Sequence, residues 1–490
     1  MNPELKRNLL IEITPQRLIA MPLILGLIFA AAWAANGVEF TMIISNILFW
    51  VFIFFWGTRK AAGAFDSELA NSTWDSQRLS ALSAAQIFIG KLFGSTSFVL
   101  YGALICLLVN AFAWLGIIFA WLSVPEYMRT LVSEPSDVAW SLVHDVFAGL
   151  LGLVIAMFVA IVLLSRTRTS RGISVTLCQV FAIGFAVFVA DRFGFVGLTG
   201  FSRSLGEGSS VYAVINWFGL AVPTVWFVNA SLLAFLLWAV LGTVRQLREV
   251  LQFRGYPWAW VLFVVFVGVY LAGFDEIYRF APTPDNRTFL FLAVFWATAA
   301  VATYLAVLTE SKSLQSYRSY AAAVRRLRLS DILEHQPYWT TSLTLVVLAL
   351  VVNLAIGNAQ NSFVGLGIHY EMVVLFGMTP GGANLKVLLV VASLFLVRDC
   401  LLVMTLNFGR RRRRADLAAL VYLAVLYVVI PLVLLGFDLD QTILTNFFLP
   451  RVDVGFVASV WPVLLEIVGL AGVMIIRWRA VRQPLASAAA

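Results

Sequence analysis

The chain has 490 residues, 61% of them hydrophobic and 12% charged, with a formal net charge of +8. So few charges cannot cover a soluble body of this length, which excludes an ordinary water-soluble globule and points to a polytopic membrane protein. The basic residues sit in short clusters between apolar runs, as the positive-inside rule requires of span ends, so the basic excess does not indicate nucleic acid.

The N-terminal stretch MNPELKRNLLIEITPQR is polar and lacks a small-residue cleavage site, so no removable signal peptide is expected. A spanning helix needs about 20 mostly apolar residues. Twelve segments meet that requirement, near 18–35, 39–57, 96–122, 139–164, 172–190, 222–243, 257–274, 288–308, 339–357, 384–406, 417–436 and 457–476. The fold class expected is therefore an all-α polytopic membrane protein of about twelve helices. Starting from a cytoplasmic Lys6, Arg7 and Arg17, every second connection is basic, through Arg59 and Lys60, Arg166 and Arg168, Arg245 and Arg248, and Arg325 and Arg326. The run Arg410–Arg414 and the tail residues Arg477, Arg479 and Arg482 complete the series. The intervening connections hold Glu126, Glu134, Asp137, Asp275, Glu276, Asp438 and Asp440, so both termini are expected in the cytoplasm.

The layout divides into two six-span halves, 1–243 and 244–490, each with its longest inside connection after its second span, at 58–92 and 309–338. Each half also opens on a basic, partly amphipathic lead-in, Leu5–Arg17 and Arg245–Trp260. This is a repeat of layout, of the kind common in transporters.

In the first long connection, Asp66–Lys91, Ser72 precedes Asp75 by three residues and Ser83 precedes Gln86 by three, the spacing of a capping box. A short cytoplasmic helix, a break and a second helix entering the bilayer are predicted. In the second connection Leu314, Tyr317, Ala321, Val324 and Leu327 form one apolar helical face, and Asp331 with Glu334 can cap a further short helix that Pro337 ends. That basic helix is suited to a lipid surface or to a cytoplasmic partner. Two outer pieces, within 193–221 and at 375–382, are too short to span and read as re-entrant or interfacial helices.

Candidates for chemistry are few. Gly90-Lys91 lacks the glycine five residues before Gly90 that a phosphate loop requires. His144, His335 and His369 lie in separate places, with His144-Asp145 read as polar residues at the outer mouth of the fourth span. Cys106, Cys178 and Cys400 each sit alone in an apolar run, so neither a disulfide framework nor a metal site is expected. No catalytic set is recognised, and the chain is not expected to be an enzyme or to hold a cofactor. Arg398, Asp399 and Glu466 fall inside spans, with Asn353 and Asn407 as polar company. Such groups normally face a protein interior or water, which makes them either an interhelical pair or a substrate or proton path. Neighbouring residues on a helix point about 100° apart, so Arg398 and Asp399 need not pair with each other.

The first long connection resembles that of permease subunits of type-2 ABC exporters. Glu68 matches the acidic position, Ser72-Thr73 the small-Thr step, Leu79 the next leucine, Leu82-Ser83 the following pair and Gly90-Lys91 the end. Ala84 departs from the family's usual proline. The resemblance implies a permease in the bacterial cytoplasmic membrane whose helix near Thr73–Leu82, with Trp74 and Asp75, docks on a separate ATP-binding cassette subunit. ATP and Mg would then be bound on that partner. An ion- or proton-coupled secondary transporter using Arg398, Asp399 and Glu466 is the alternative.

Overall fold

The computed structural model describes residues 2–70, 79–80, 82–123, 135–166, 174–191, 214–251, 253, 255–278, 284–310, 312, 314–356, 385–408, 415–437, 443–450 and 456–482. The chain is a polytopic membrane protein whose described residues are almost entirely helical, apart from one short hairpin. Nine helices among the described residues are long and apolar enough to cross a membrane, joined by two shorter apolar helices, Val175–Val189 and Trp258–Ala272. The segment Ala415–Gly436 shows why a bilayer is required: its mean hydropathy is 2.8, yet only 6% of it is buried in protein.

Two compact units divide the chain, Met1–Ile215 with Leu220–Gly255, and Asn216–Gly219 with Tyr256–Ala490. The first unit begins with α1 (Pro3–Glu12), started by Asn2, whose side chain accepts from the Glu4 N–H, and by Pro3. Thr14 and Pro15 start α2 (Pro15–Trp50) in the same way. That helix is broken at Asn36 and Gly37, where Gly37 takes φ +71°. The break falls where the hydropathy separates the first two segments. A π-helical turn, Val51–Gly57, links α2 to α3 (Thr58–Ala70). Next come α4 (Ala84–Ser95), α5 (Ser97–Ser123), α6 (Pro135–Arg166) and α7 (Val175–Asp191). After β1 (Val214–Trp217) and β2 (Leu220–Pro223), α8 (Thr224–Val250) ends the unit.

The hairpin corrects the expected re-entrant helix at VYAVINWFGLAVP. Phe218 (φ +50°) and Gly219 (φ +73°) form a two-residue turn between the strands, and both positive φ values suit the strand twist. β-branched and aromatic residues on either side favour extended backbone. Within the second unit the turn is held from outside: the Phe218 N–H donates to the Gly273 carbonyl and the Gly219 N–H to Asp275 Oδ2. The piece 193–213 lies outside the described residues, as does 375–382.

The second unit runs through α9 (Trp258–Ala272), α10 (Pro284–Thr309), α11 (Leu314–Arg326), α12 (Leu329–His335) and α13 (Tyr338–Ile356). It continues with α14 (Leu385–Asn407), α15 (Ala415–Ala424), a π-helical turn at Val425–Val429, α16 (Ile430–Gly436) and α17 (Phe456–Arg482). The central helix is α6 in the first unit and α14 in the second, each with 56% of its apolar window buried. Helix α6 packs on α7 and α8, and α14 packs on α15 and α17, so each unit repeats one pairing order.

The basic lead-in of the second half begins inside α8, which holds Arg245 to Val250. One further expectation changes: Asp331 is not a cap, because the N-cap of α12 is Arg328, which makes no side-chain cap, and Asp331 lies in the first turn. On the apolar face of α11 Tyr317 is buried and Val324 exposed, and Leu327, just past the helix, is exposed as well.

A buried charge cluster in the first unit and a second inside the helices of the other

The residues singled out around the first long connection divide into those the structure brings together and those outside its reach. Thr73, Trp74 and Asp75 lie outside the described residues, and with them the first capping box. Leu79 is exposed and Leu82 half-buried. Ser83 forms the expected capping box with Gln86, each side chain bonded to the other's backbone N–H. Helix α4 therefore starts without the proline that Ala84 replaces.

Glu68, Gly90 and Lys91 meet in one place, joined by α1, which the sequence reading treated only as a lead-in. Lys91 is 1% exposed, and its Nζ forms an ion pair with Glu68 Oε1 and lies 3.6 Å from Glu4 Oε1. Arg7 Nη2 donates to Glu4 Oε1 at 2.9 Å and to Glu68 Oε1 at 3.1 Å. Two carboxylates and two cations thus tie α1, α3 and α4 to one another. Burial is the larger influence on Lys91 and pulls its pKa below 10.5, against the opposing pull of Glu68 and then Glu4. The Phe65 ring adds a cation–π contact at 5.1 Å. Beside the cluster Lys60 Nζ pairs with Glu12 at 2.6 Å.

Gly90 is needed for close approach. A Cβ there would stand 2.7 Å from Glu4 Cβ, and one on Gly94 would stand 2.5 Å from Asn8 Cβ. Asn8 Nδ2 donates to the Gly90 carbonyl at 3.2 Å, made reachable by that approach. The spacing Gly90-x-x-x-Gly94 is the small-residue pattern of tight helix pairs, a signal present in the sequence but not read there. Glu4, Arg7 and Asn8 were missed because nothing local marks them as partners of residues some 60 to 90 positions away.

The second constellation lies in the second unit. Arg398 Nε donates to Asp399 Oδ1 at 2.9 Å, so the two neighbours do pair, the long guanidinium arm folding back across the angle between them. Arg398 Nη1 donates to Glu466 Oε2 at 2.9 Å and to the Phe447 carbonyl at 2.8 Å. Arg398 Nη2 donates to the Tyr427 hydroxyl at 2.9 Å. Tyr427 and Tyr304 hydroxyls donate to Asp399 Oδ2 at 2.5 and 2.6 Å. Arg398 and Asp399 are buried, while the Glu466 side chain keeps 26% exposure. Tyr304, Tyr427 and the segment Ile443–Phe447 were not anticipated. Asn407 bonds to Asp416 instead, and the Asn353 amide has no partner among the described residues.

His144 and Asp145 are buried within the Trp140–Leu164 window, with Asn46 Nδ2 donating to Asp145 Oδ2 at 3.1 Å, so they are not polar residues of the outer surface. His335 closes α12 and His369 lies outside the described residues. The three cysteines are buried free thiols.

These features define a polytopic helical membrane protein with one ion cluster outside its apolar windows and one inside them. Neither a family model, nor a curated protein, nor a solved structure matches the chain.

Proposed function

We propose that the chain is the membrane-spanning permease subunit of an ABC exporter, driven by a separate ATP-binding subunit on the cytoplasmic face of a bacterial inner membrane. The carrying observation is the cluster of Glu4, Arg7, Glu68 and Lys91. Glu68 and Lys91 bracket the connection that resembles the family's docking helix, and the cluster fixes both ends of that connection to α1. A push on the connection is then passed to α3 and α4 rather than absorbed by slack chain. Twelve crossings with both termini inside agree with the charge alternation and complete this reading.

The test is co-purification under conditions that keep membrane complexes intact, followed by ATPase assay of the complex in nanodiscs. An ATP-binding subunit should be recovered, and Glu68→Gln should uncouple its ATPase rate from transport while the chain stays in the membrane. Recovery of the chain without any nucleotide-binding partner overturns the reading.

One observation favours a second reading, an ion- or proton-coupled transporter. Arg398, Asp399 and Glu466 do meet within the apolar helices, and Glu466 retains access. Transport by the isolated chain in liposomes under a pH gradient, abolished by Glu466→Gln, would decide for it. Transport that needs ATP and a partner decides against it.

A further inference from the structure

We propose that the cavity beside the Lys91 cluster binds the phosphate-bearing headgroup of an anionic amphiphile. Its volume is about 740 Å³, within the span of about 300–1,000 Å³ that small-molecule sites occupy. Arg7, Arg59, Lys60 and Lys91 line it, against Glu12 and Glu68, so the walls carry an excess of two positive charges.

The distribution of that excess identifies the ligand. Both lysines are engaged, Lys60 by Glu12 and Lys91 by Glu68. Both arginines retain donors. Arg59 is exposed and has no hydrogen-bond or ion-pair partner among the described residues. Arg7 meets its carboxylates through Nη2 alone, which leaves Nε and Nη1. Two guanidinium forks with unused N–H groups suit the oxygens of a phosphate, which accepts such forks in pairs. The lysine–carboxylate pairs keep the walls in place without consuming that capacity.

The rim gives the ligand its second character. Ile11 (63% exposed) and Trp56 (41% exposed) border the same cavity, next to exposed Leu10. Arg59 and Lys60 are separated by two residues from the apolar run FWVFIFFW, near the level at which a bilayer places its headgroups. An amphiphile would set its phosphate on Arg7 and Arg59 and its chains along Ile11 and Trp56. A free phosphate shares the first half of that chemistry and not the second. The site stands on this geometry whether or not the chain works with an ATPase.

The full chain in phosphatidylcholine nanodiscs, titrated with phosphatidylglycerol and read by native mass spectrometry, tests the site. Wild type should retain phosphatidylglycerol, and Arg59→Gln should weaken retention about tenfold. Arg325→Gln, which removes an exposed arginine on α11, should leave it unchanged. Inorganic phosphate and glycerophosphate, added separately, distinguish the sources. If they bind as tightly as the lipid and lose binding in Arg59→Gln, the site stands with a soluble phosphate as its ligand. Equal retention in wild type and Arg59→Gln, equal losses in both variants, or no binding of any probe to wild type overturns it.

Discussion

Arg398 donates at 2.8 Å to the backbone carbonyl of Phe447, fastening the turn Ile443–Phe447 to a guanidinium deep within α14. Arg398 lies twelve residues beyond Lys386, about 18 Å along the helix at 1.5 Å per residue. The connection between α16 and α17 therefore dips to within side-chain reach of mid-helix. A short 3₁₀ turn at that depth leaves backbone groups that need a partner within the protein, and Arg398 supplies one. Replacing Arg398 by Met should free the turn and leave Asp399 buried without its cation, at a cost of about 3–5 kcal/mol. Hydrogen exchange across 443–449 should accelerate in that variant. Unchanged protection there would show that the turn is held by other contacts.

The pairing of Glu68 with Lys91 leads to a two-residue test. Glu68→Gln alone leaves Lys91 buried with the carboxylate of Glu4, and Lys91→Met alone takes the buried cation away from both Glu68 and Glu4. Each single change should lower stability by about 3 kcal/mol, whereas the double variant should recover much of that loss. Thermal unfolding in detergent across the four proteins reads the interaction. Additive losses would mean that the two side chains do not act as a pair.

Gly90→Ala should lift α1 away from α4, because the new methyl group occupies the space of Glu4 Cβ. A cost of about 1–3 kcal/mol is expected from overpacking of this kind. The readout is selective proteolysis near the N-terminus, with the apolar helices still protected. Gly63→Ala is the control, since a Cβ there meets nothing within 4 Å.

The depressed Lys91 pKa sets a pH dependence. Burial places it below 10.5, so the folded chain releases the Lys91 proton earlier than the unfolded chain does. In the window just below 10.5 the unfolded state holds more protons, and stability should rise with pH. Lys91→Met should remove that contribution. A melting temperature whose alkaline trend is the same in Lys91→Met would show that Lys91 is not its source.

Much of the helical framework is legible in the sequence, because a run of some 20 apolar residues has few other fates. Ser83 with Gln86 announced its helix start for an equally local reason. The hairpin was not legible: Phe218-Gly219 lacks the Asn-Gly signature of its turn, and an aromatic residue at φ +50° is uncommon. At the charge clusters, Arg398, Asp399 and Glu466 stand out by being polar where polarity is costly, and Glu68 and Lys91 through the resemblance of their connection to a known family. Their partners were not, since Tyr304 and Tyr427 look like ordinary residues of apolar helices until the fold aims their hydroxyls at Asp399. Glu4 and Arg7 look like solvated residues until Gly90 and Gly94 let their helix settle close by.

The π-helical turn at Val51–Gly57 carries a consequence for length variation in this chain. A π turn holds one residue more than an α turn, and its freed carbonyls need donors. Gln179 Nε2 supplies one to Phe55 at 2.9 Å and another to Phe54 at 3.3 Å. Everything beyond that turn has its azimuth set by the extra residue, including Arg59, Lys60 and Glu68. If the turn reverted to regular α-helix with its residues kept, those side chains would swing by about 100°. Glu68 would then point away from Lys91, and Arg59 away from the cavity. Deleting one residue between 51 and 57 would instead restore α-helix and keep both on their present face, so its cost should fall on the two carbonyls that Gln179 now bonds.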